Sequence, residues 1–218
     1  MQSILMIGMG RFGHHLCRNL LKYDNEIMIV DKDEKAIQDI YQQVSSSKIG
    51  DCTNPEVLKT LGIDNFDIIF ICIGTDFQSS LEVTDLVSEM GGRRIISRAT
   101  RDIQEKFLLK NGAHEVIFPD KVAAENLARS ASDDRIFDYI ELNDSHGIYE
   151  IAPLKGWIGK SIIELNFRSK YQGIIIGTKN LATKQKNLMP SPDYVFNNEE
   201  NLLVLSAEKE IQKLLNNR

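Results

Sequence analysis

Residues 4–13 read Ile4-Leu5-Met6-Ile7-Gly8-Met9-Gly10-Arg11-Phe12-Gly13, and residues 27–31 read Ile27-Met28-Ile29-Val30-Asp31. An apolar run of strand length enters Gly-x-Gly-x-x-Gly. A segment with Phe12, Leu16 and Leu20 at i, i+4 and i+8 follows, which predicts a helix. A second apolar run then ends on an acid, eighteen residues beyond the last glycine. This is a β-α-β dinucleotide-binding fingerprint in its required context. Gly8 permits the tight turn, Gly10 lets the backbone approach a pyrophosphate, and Gly13 lets helix and strand pack closely. The diphosphate is expected on the N–H groups at the helix N-terminus. Asp31 is expected to accept from a ribose hydroxyl, and an acid there disfavours the 2′-phosphate of NADP.

Arg11 opens that helix, where a cation meets the positive end of the macrodipole and is mildly disfavoured. It reads either as an ordinary surface arginine or as a ligand for phosphate oxygens, held in bidentate fashion by the guanidinium. In the second case, a nucleotide with more phosphate than NAD suits it.

At 218 residues the chain suits one large domain or two small ones, and its 42% hydrophobic content is that of a globular protein. No apolar run approaches the roughly 20 residues of a membrane span, and the first residues enter a strand without the pattern of a signal peptide. Cys17, Cys52 and Cys72 have no C-x-x-C spacing and read as free thiols of a reducing compartment. A net charge of −5 leaves no footprint for nucleic acid. Charge is uneven: residues 1–144 hold 16 Lys+Arg against 24 Asp+Glu, and residues 145–218 hold 10 against 7. Two units with different partners would produce such an asymmetry.

Further along, Asp33 to Tyr41 reads as a helix and Val44–Gly50 as a short strand. Asn54-Pro55 starts a helix that runs to Leu61 and is closed by Gly62. Ile68–Ile73 is continuously apolar, as expected of a strand buried on both faces of a parallel sheet. A helix from Phe77 to Met90, a strand Arg94–Arg98, a helix Ile103–Lys110, a strand Glu115–Phe118 and a helix from Pro119 follow. Strand and helix alternate six times, which predicts an α/β fold with a Rossmann-like doubly wound parallel sheet. Near Ser132-Asp133-Asp134 the alternation stops. Ile136–Leu142 and Ile148–Pro153 flank the polar turn Asn143-Asp144-Ser145-His146-Gly147 like a hairpin. A short helix Ser161–Leu165, a strand Gly173–Thr178, a polar turn from Lys179 to Asn187, a strand Asn201–Ser206 and a helix Ala207–Leu215 complete a smaller α+β domain. The expected division is residues 1–117, a crossover helix and linker at 118–133, and residues 134–218.

Ligands of doubly wound sheets bind outside the carboxyl ends of the strands. The candidate nucleotide-binding residues are accordingly Gly8, Gly10, Arg11, Phe12, Gly13, Asp31, Lys32, Asp51, Cys52, Ile73, Gly74, Asp76 and Arg98. Asp51 reads equally well as a turn former. No catalytic constellation stands out: Gly-x-Ser-x-Gly, His-Glu-x-x-His and the Gly-Lys-Ser/Thr P-loop are missing from the sequence. His14 and His15 share the phosphate-binding helix, while His114 and His146 have no acid or cysteine at ligand spacing.

The sequence resembles, over nearly its whole length, the cytosolic regulatory subunits of potassium uptake systems of the Ktr/Trk type, built from RCK N-terminal and RCK C-terminal domains. The resemblance is carried by Gly8–Gly13, Val30-Asp31, Gly50-Asp51-Cys52-Thr53, Leu61-Gly62-Ile63, Ile73-Gly74 and Asn111-Gly112-Ala113. In the second half it rests on Lys160–Asn166 and Arg168–Tyr171. Single-copy length favours the Ktr-like type. The resemblance implies a gating subunit rather than an enzyme: a homodimer that assembles into an octameric ring on the cytoplasmic face of a membrane potassium-translocating subunit. ATP and ADP would compete for the cleft, with Arg11 on the γ-phosphate. A divalent cation, Mg or Ca, would sit at Asp120, where relatives often carry Glu. NAD(H) is also associated with such domains. In the second domain Ile162, Ile163, Asn166, Arg168, Tyr171, Ile174 and Ile175 resemble a pocket for cyclic di-AMP, or alternatively are plain core. The competing reading is a small NAD-dependent oxidoreductase or NAD(H) redox sensor.

Overall fold

The first apolar run becomes β1 (Gln2–Ile7), and the segment after the glycines becomes α1 (Arg11–Leu20). The computed structural model describes residues 1–132, 136–143 and 145–216. There follow β2 (Asn25–Asp31), α2 (Lys35–Gln38), β3 (Ser46–Ile49), α3 (Pro55–Lys59), β4 (Ile68–Ile71), α4 (Phe77–Glu89), β5 (Ile95–Arg98), α5 (Asp102–Lys110), β6 (Glu115–Ile117) and α6 (Pro119–Ser132). The six strands form one parallel sheet in the order β3-β2-β1-β4-β5-β6. Strand order therefore reverses between β1 and β4, with Ile4 opposite both Ile27 and Ile68.

Alternation along β1 explains why both faces are covered. Leu5 and Ile7 point to a core completed by Leu58 of α3 and by Val83 and Val87 of α4. Ile4 and Met6 point to the other, completed by Cys17 of α1 and by Ile37 and Ile40, with Phe12, Leu16 and Leu20 packed at its margin. Each helix contributes one apolar stripe, and the sheet buries both of its faces. Asn54 caps α3 by accepting from the Glu56 N–H at 3.0 Å, with Pro55 at the first helical position. Gly62 follows with φ 68°, the left-handed conformation glycine supplies.

The helix expected over 33–41 is shorter. Only Lys35–Gln38 is α-helical, followed by a 3-10 turn at Tyr41–Gln43. Ile37 and Ile40 alone bury against the sheet, and so narrow an apolar face supports no more than about a turn.

The second unit contains β7 (Ile136–Asn143), β8 (His146–Ile151), α7 (Phe167–Tyr171), β9 (Gly173–Asn180), β10 (Lys186–Leu188), β11 (Glu200–Ala207) and α8 (Glu208–Asn216). Its sheet is antiparallel, in the order β10-β9-β11-β8-β7. Compact units comprise Met1–Val122 and Ala123–Arg218, so the division falls within α6. Asp133, Asp134 and Asp144 lie outside the described residues, and with them the expected linker end and the middle of the expected hairpin turn.

Two expectations fail here. Residues 162–166 form turns rather than a helix. Ser161 and Glu164 do make a capping-box exchange, with the Glu164 carboxylate accepting from the Ser161 N–H and hydroxyl. Asn166 then turns left-handed at φ 46°, which stops the turn, and the helix forms one step later as α7. The polar stretch 179–187 is not all turn: it holds the end of β9 and all but the last residue of β10. That edge strand has three exposed residues and is held by its main-chain pairing to β9, so it carries no apolar alternation to read.

The core of this unit is aromatic. Trp157 stands edge-on to Phe167 and Tyr171, each at 5.0 Å, and its Nε1–H donates to the Tyr171 hydroxyl at 2.9 Å. A buried polar group lies on the sheet: the Glu150 carboxylate accepts from Lys179 Nζ at 2.6 Å and from Asn201 Nδ2 at 2.8 Å. Among the described residues no helix is long and apolar enough to cross a membrane.

Because Glu150 is 3% exposed, removing its cation leaves a buried carboxylate uncompensated. Lys179→Met is expected to cost about 3–5 kcal/mol in urea unfolding, and adding Glu150→Gln is expected to restore most of it. A loss below about 1 kcal/mol for the single variant would show that the pair is solvated.

Candidate nucleotide-binding cleft

The glycine loop lies between the ends of β1 and α1, at the reversal of strand order where such sheets open a crevice. Three glycines stand there for three reasons. Gly8 has φ +92°, which a side chain would strain. Gly13 is buried beneath the preceding turn, where a Cβ would stand 2.3 Å from the Gly8 carbonyl oxygen. Gly10 has φ −68° and a Cβ there would meet nothing within 4 Å. The protein's own packing does not require glycine at position 10. That leaves open space over the loop at this position.

A cavity of about 820 Å³ opens at this loop, within the range of small-ligand and cofactor sites. Gly8, Gly10, Arg11 and Phe12 line it from the loop, and Asp31 and Lys32 from the end of β2. Asp51 and Cys52 follow β3; Ile73, Gly74 and Asp76 follow β4; Arg98 ends β5; Asp120 begins α6. Of the sequence-derived set only Gly13 is not in the wall, since it acts underneath. His15, weighed together with His14 in the sequence, lines the cavity, as do Thr53, Thr75 and Ser79, which were not among the candidate residues. Thr53 and Ser79 carried a signal, for each follows an aspartate at turn or cap spacing. His14 instead hydrogen-bonds the Ala36 carbonyl oxygen at 2.8 Å.

The walls are preorganised by their own main chain. Asp31 Oδ2 accepts from the Met9 N–H at 2.6 Å, and Oδ1 accepts from the Asp33 N–H at 2.8 Å. A carboxylate has about four acceptor positions, so ribose hydroxyls still find a place. The Thr53 N–H and hydroxyl hold the Asp51 carboxyl below its usual range, which makes Asp51 both a turn former and a cavity residue. The Ser79 hydroxyl, then its N–H, does the same for Asp76, the N-cap of α4. Burial pushes the Cys52 thiol up to about 12, with Asp51 and Asp31 adding to the shift. A thiol held protonated is not a nucleophile. Cys72 is likewise pushed up to about 12 by burial.

The cations Lys32, Arg11 and Arg98 share the wall with these acids. Arg11 is exposed at the first position of α1, whose first turn has neither an acid nor a side-chain cap. Arg98 lies 5.5 Å from the Phe12 ring centroid and donates to Asp120 at 2.9 Å. Asp120 therefore already has a partner, and no cluster of three metal-ligating side chains occurs among the described residues. The chain's own donors do not make a divalent-cation site at Asp120.

In the second unit the expected ligand set divides. Ile162, Tyr171 and Ile175 pack against the core, while Ile163, Asn166, Arg168 and Ile174 are exposed.

A parallel sheet of this order with a glycine-loop cleft defines a Rossmann-type nucleotide-binding domain, here joined to a small α+β domain. The TrkA-N domain family matches residues 4–119. The chain is 32% identical to Ktr system potassium uptake protein C of Bacillus subtilis, over 97% of this chain and 95% of that protein. It is 31% identical to Ktr system potassium uptake protein A of the same organism, over 99% and 96%. The chain belongs to this family of Ktr-type, TrkA-N-containing potassium uptake proteins. Among solved structures, the GsuK channel superposes with a TM-score of 0.72 at 18% identity, covering 99% of this chain and 39% of that one. The GsuK channel bound to NAD gives 0.66 at 16% identity, over 96% and 38%. The chain thus spans about two fifths of those channel chains, and the likeness is one of fold.

Substitutions should separate the two glycine roles. Gly13→Ala forces its Cβ onto the Gly8 carbonyl and is expected to cost about 1–3 kcal/mol of stability. Gly10→Ala is expected to leave the melting temperature within about a degree or two while weakening nucleotide binding at least tenfold by calorimetry. A destabilised Gly10→Ala, or one that binds normally, would reassign that glycine.

Proposed function

We propose that this protein is the cytosolic regulatory subunit of a potassium uptake system, and that an adenine nucleotide in the first unit's cleft sets its conformation. The observation that carries the reading is full-length similarity to Ktr system potassium uptake proteins, in a chain that keeps the complete cleft. The cleft has a ribose end at Asp31 and a phosphate end at the glycine loop, Arg11 and Arg98. ATP and ADP are the ligands that best use the second cation. NAD, bound by the GsuK channel, fits the same fingerprint.

A ligand shifts a conformational equilibrium only by binding the two states differently. ATP and ADP share adenine, ribose and two phosphates, so the difference must come from the terminal phosphate, and Arg11 is the exposed cation at the helix N-terminus that would meet it. In this reading the protein works as a homodimer within an octameric ring, docked on the inner face of a membrane potassium-translocating subunit. Any divalent cation at Asp120 would take most of its oxygens from phosphates. Cyclic di-AMP would use the exposed Ile163, Asn166, Arg168 and Ile174. The relatives at 31–32% identity are potassium uptake proteins, which does not favour an oxidoreductase or NAD(H) redox sensor.

Calorimetry with ATP and ADP tests the assignment. Asp31→Ala is expected to weaken both nucleotides alike, by about 1–3 kcal/mol. Arg11→Ala is expected to weaken ATP by about 1.5–3 kcal/mol and ADP little, with Arg11→Lys restoring part, since an ammonium lacks the planar fork. Equal losses for both nucleotides in Arg11→Ala would place Arg11 on the shared diphosphate and move the discrimination elsewhere.

A further inference from the structure

Arg98 is confined in a way its partner is not. Its side chain is 18% exposed, whereas that of Asp120 is 80% exposed. The guanidinium lies over Gly74, where a Cβ would stand 2.5 Å from Nη1 and 2.9 Å from Cζ. It also lies over the ring of Phe12 in the glycine loop, 5.5 Å from the centroid. One donor, Nη2, is on Asp120, and Nε is buried with no hydrogen-bond partner. A guanidinium has five donors arranged to meet an oxyanion two at a time. A single bond to a nearly fully exposed carboxylate leaves most of that capacity unused.

We propose that the Arg98–Asp120 pair is a latch opened by the phosphates of the bound nucleotide. This rests on the nucleotide reading of the cleft. An entering polyphosphate competes with Asp120 for Arg98, and the competition is unequal. Arg98 is largely buried against Gly74 and Phe12, and moving away would forfeit that packing and its contact with the Phe12 ring. Asp120 has only to turn into water, where its carboxylate is solvated at small cost. The phosphate therefore wins the guanidinium, and the first turn of α6 loses its tie to the end of β5. Asp120 is the second residue of α6, the helix that carries the chain from the first unit into the second. Nucleotide occupancy thus changes the restraint on the segment that joins them, which is the kind of differential contact a switch requires.

Two measurements on the full-length protein without divalent cations test the latch. In calorimetry, Asp120→Asn removes the competitor and is expected to tighten ADP and ATP about two- to fivefold, the worth of an ion pair with one exposed partner, and to leave adenosine unchanged. In an Arg98→Gln background, which by itself is expected to weaken ADP tenfold or more, the gain from Asp120→Asn is expected to vanish. A gain of the same size there would mean a general effect of charge and would overturn the latch, as would no gain in the single variant. In hydrogen exchange, ADP is expected to slow the glycine loop and to speed residues 120–125, and Asp120→Asn is expected to be fast there before ADP is added. Slowed or unchanged exchange at 120–125 on ADP binding would overturn the latch even if Arg98→Gln fails to fold. Loss of the latch with normal ADP binding leaves the nucleotide reading standing, whereas an unaltered protein that binds neither ADP nor ATP overturns both.

Discussion

The hydrogen bond from the Met9 N–H to the Asp31 carboxylate ties the two ends of the fingerprint together. With the Gly8 N–H donating to the Val30 carbonyl oxygen at 2.9 Å, it pins the glycine loop to the end of β2. The loop cannot shift without breaking a charge-assisted bond, and so the start of α1 cannot shift either. Every other wall of the cleft takes its position from the sheet that β1 and β2 begin. The acid that reads as a ribose ligand in the sequence is thus a structural member, with acceptor positions left over. That tie explains how the phosphate end of the cleft can be preorganised before any ligand arrives.

Much of this was legible because the first unit obeys local rules. Apolar runs of strand length, the spacing of Phe12, Leu16 and Leu20, the Asn54-Pro55 start of α3, Gly62 at its end and the unbroken apolar run at Ile68 each gave the right element, and their alternation gave a doubly wound parallel sheet. The cleft followed from topology, since residues at the carboxyl ends of the strands must converge there. What stayed hidden depended on contacts between distant residues. The tie between Met9 and Asp31 crosses two elements, and the Arg98–Asp120 pair joins β5 to α6. His15 was weighed with His14, yet one lines the cavity and the other is consumed by a carbonyl at Ala36. Nothing in the spacing of adjacent histidines could separate them.

The second unit was less legible for the opposite reason. Its elements are short, and several are fixed by side chains rather than by pattern. The Ser161–Glu164 box promises a helix that Asn166 ends at once, while β10 has no apolar alternation because it is an edge strand. The mixture of core and exposed residues at 162–168 arises from the same turn, while Ile174 and Ile175 differ because they are successive residues of β9. A left-handed residue between the turn at 162–165 and α7 sends side chains before and after it onto different faces, so residues close in sequence do not share an environment.

Departures from local rules are the most informative features of the first unit. A helix that starts on arginine with no acid in its first turn goes against its dipole. A glycine stands where the packing leaves room for a side chain. A buried guanidinium nitrogen has no partner, which costs free energy wherever it occurs. Each taken alone is a small defect of a few tenths to a few kcal/mol. All three border the same cavity, and an anion would relieve each of them, by neutralising Arg11, by occupying the space over Gly10 and by engaging Arg98. Consistent sequences break their own rules mainly where function requires it. The convergence of three independent breaks on one cavity is therefore stronger support for an anionic ligand than the glycine motif that first pointed to it.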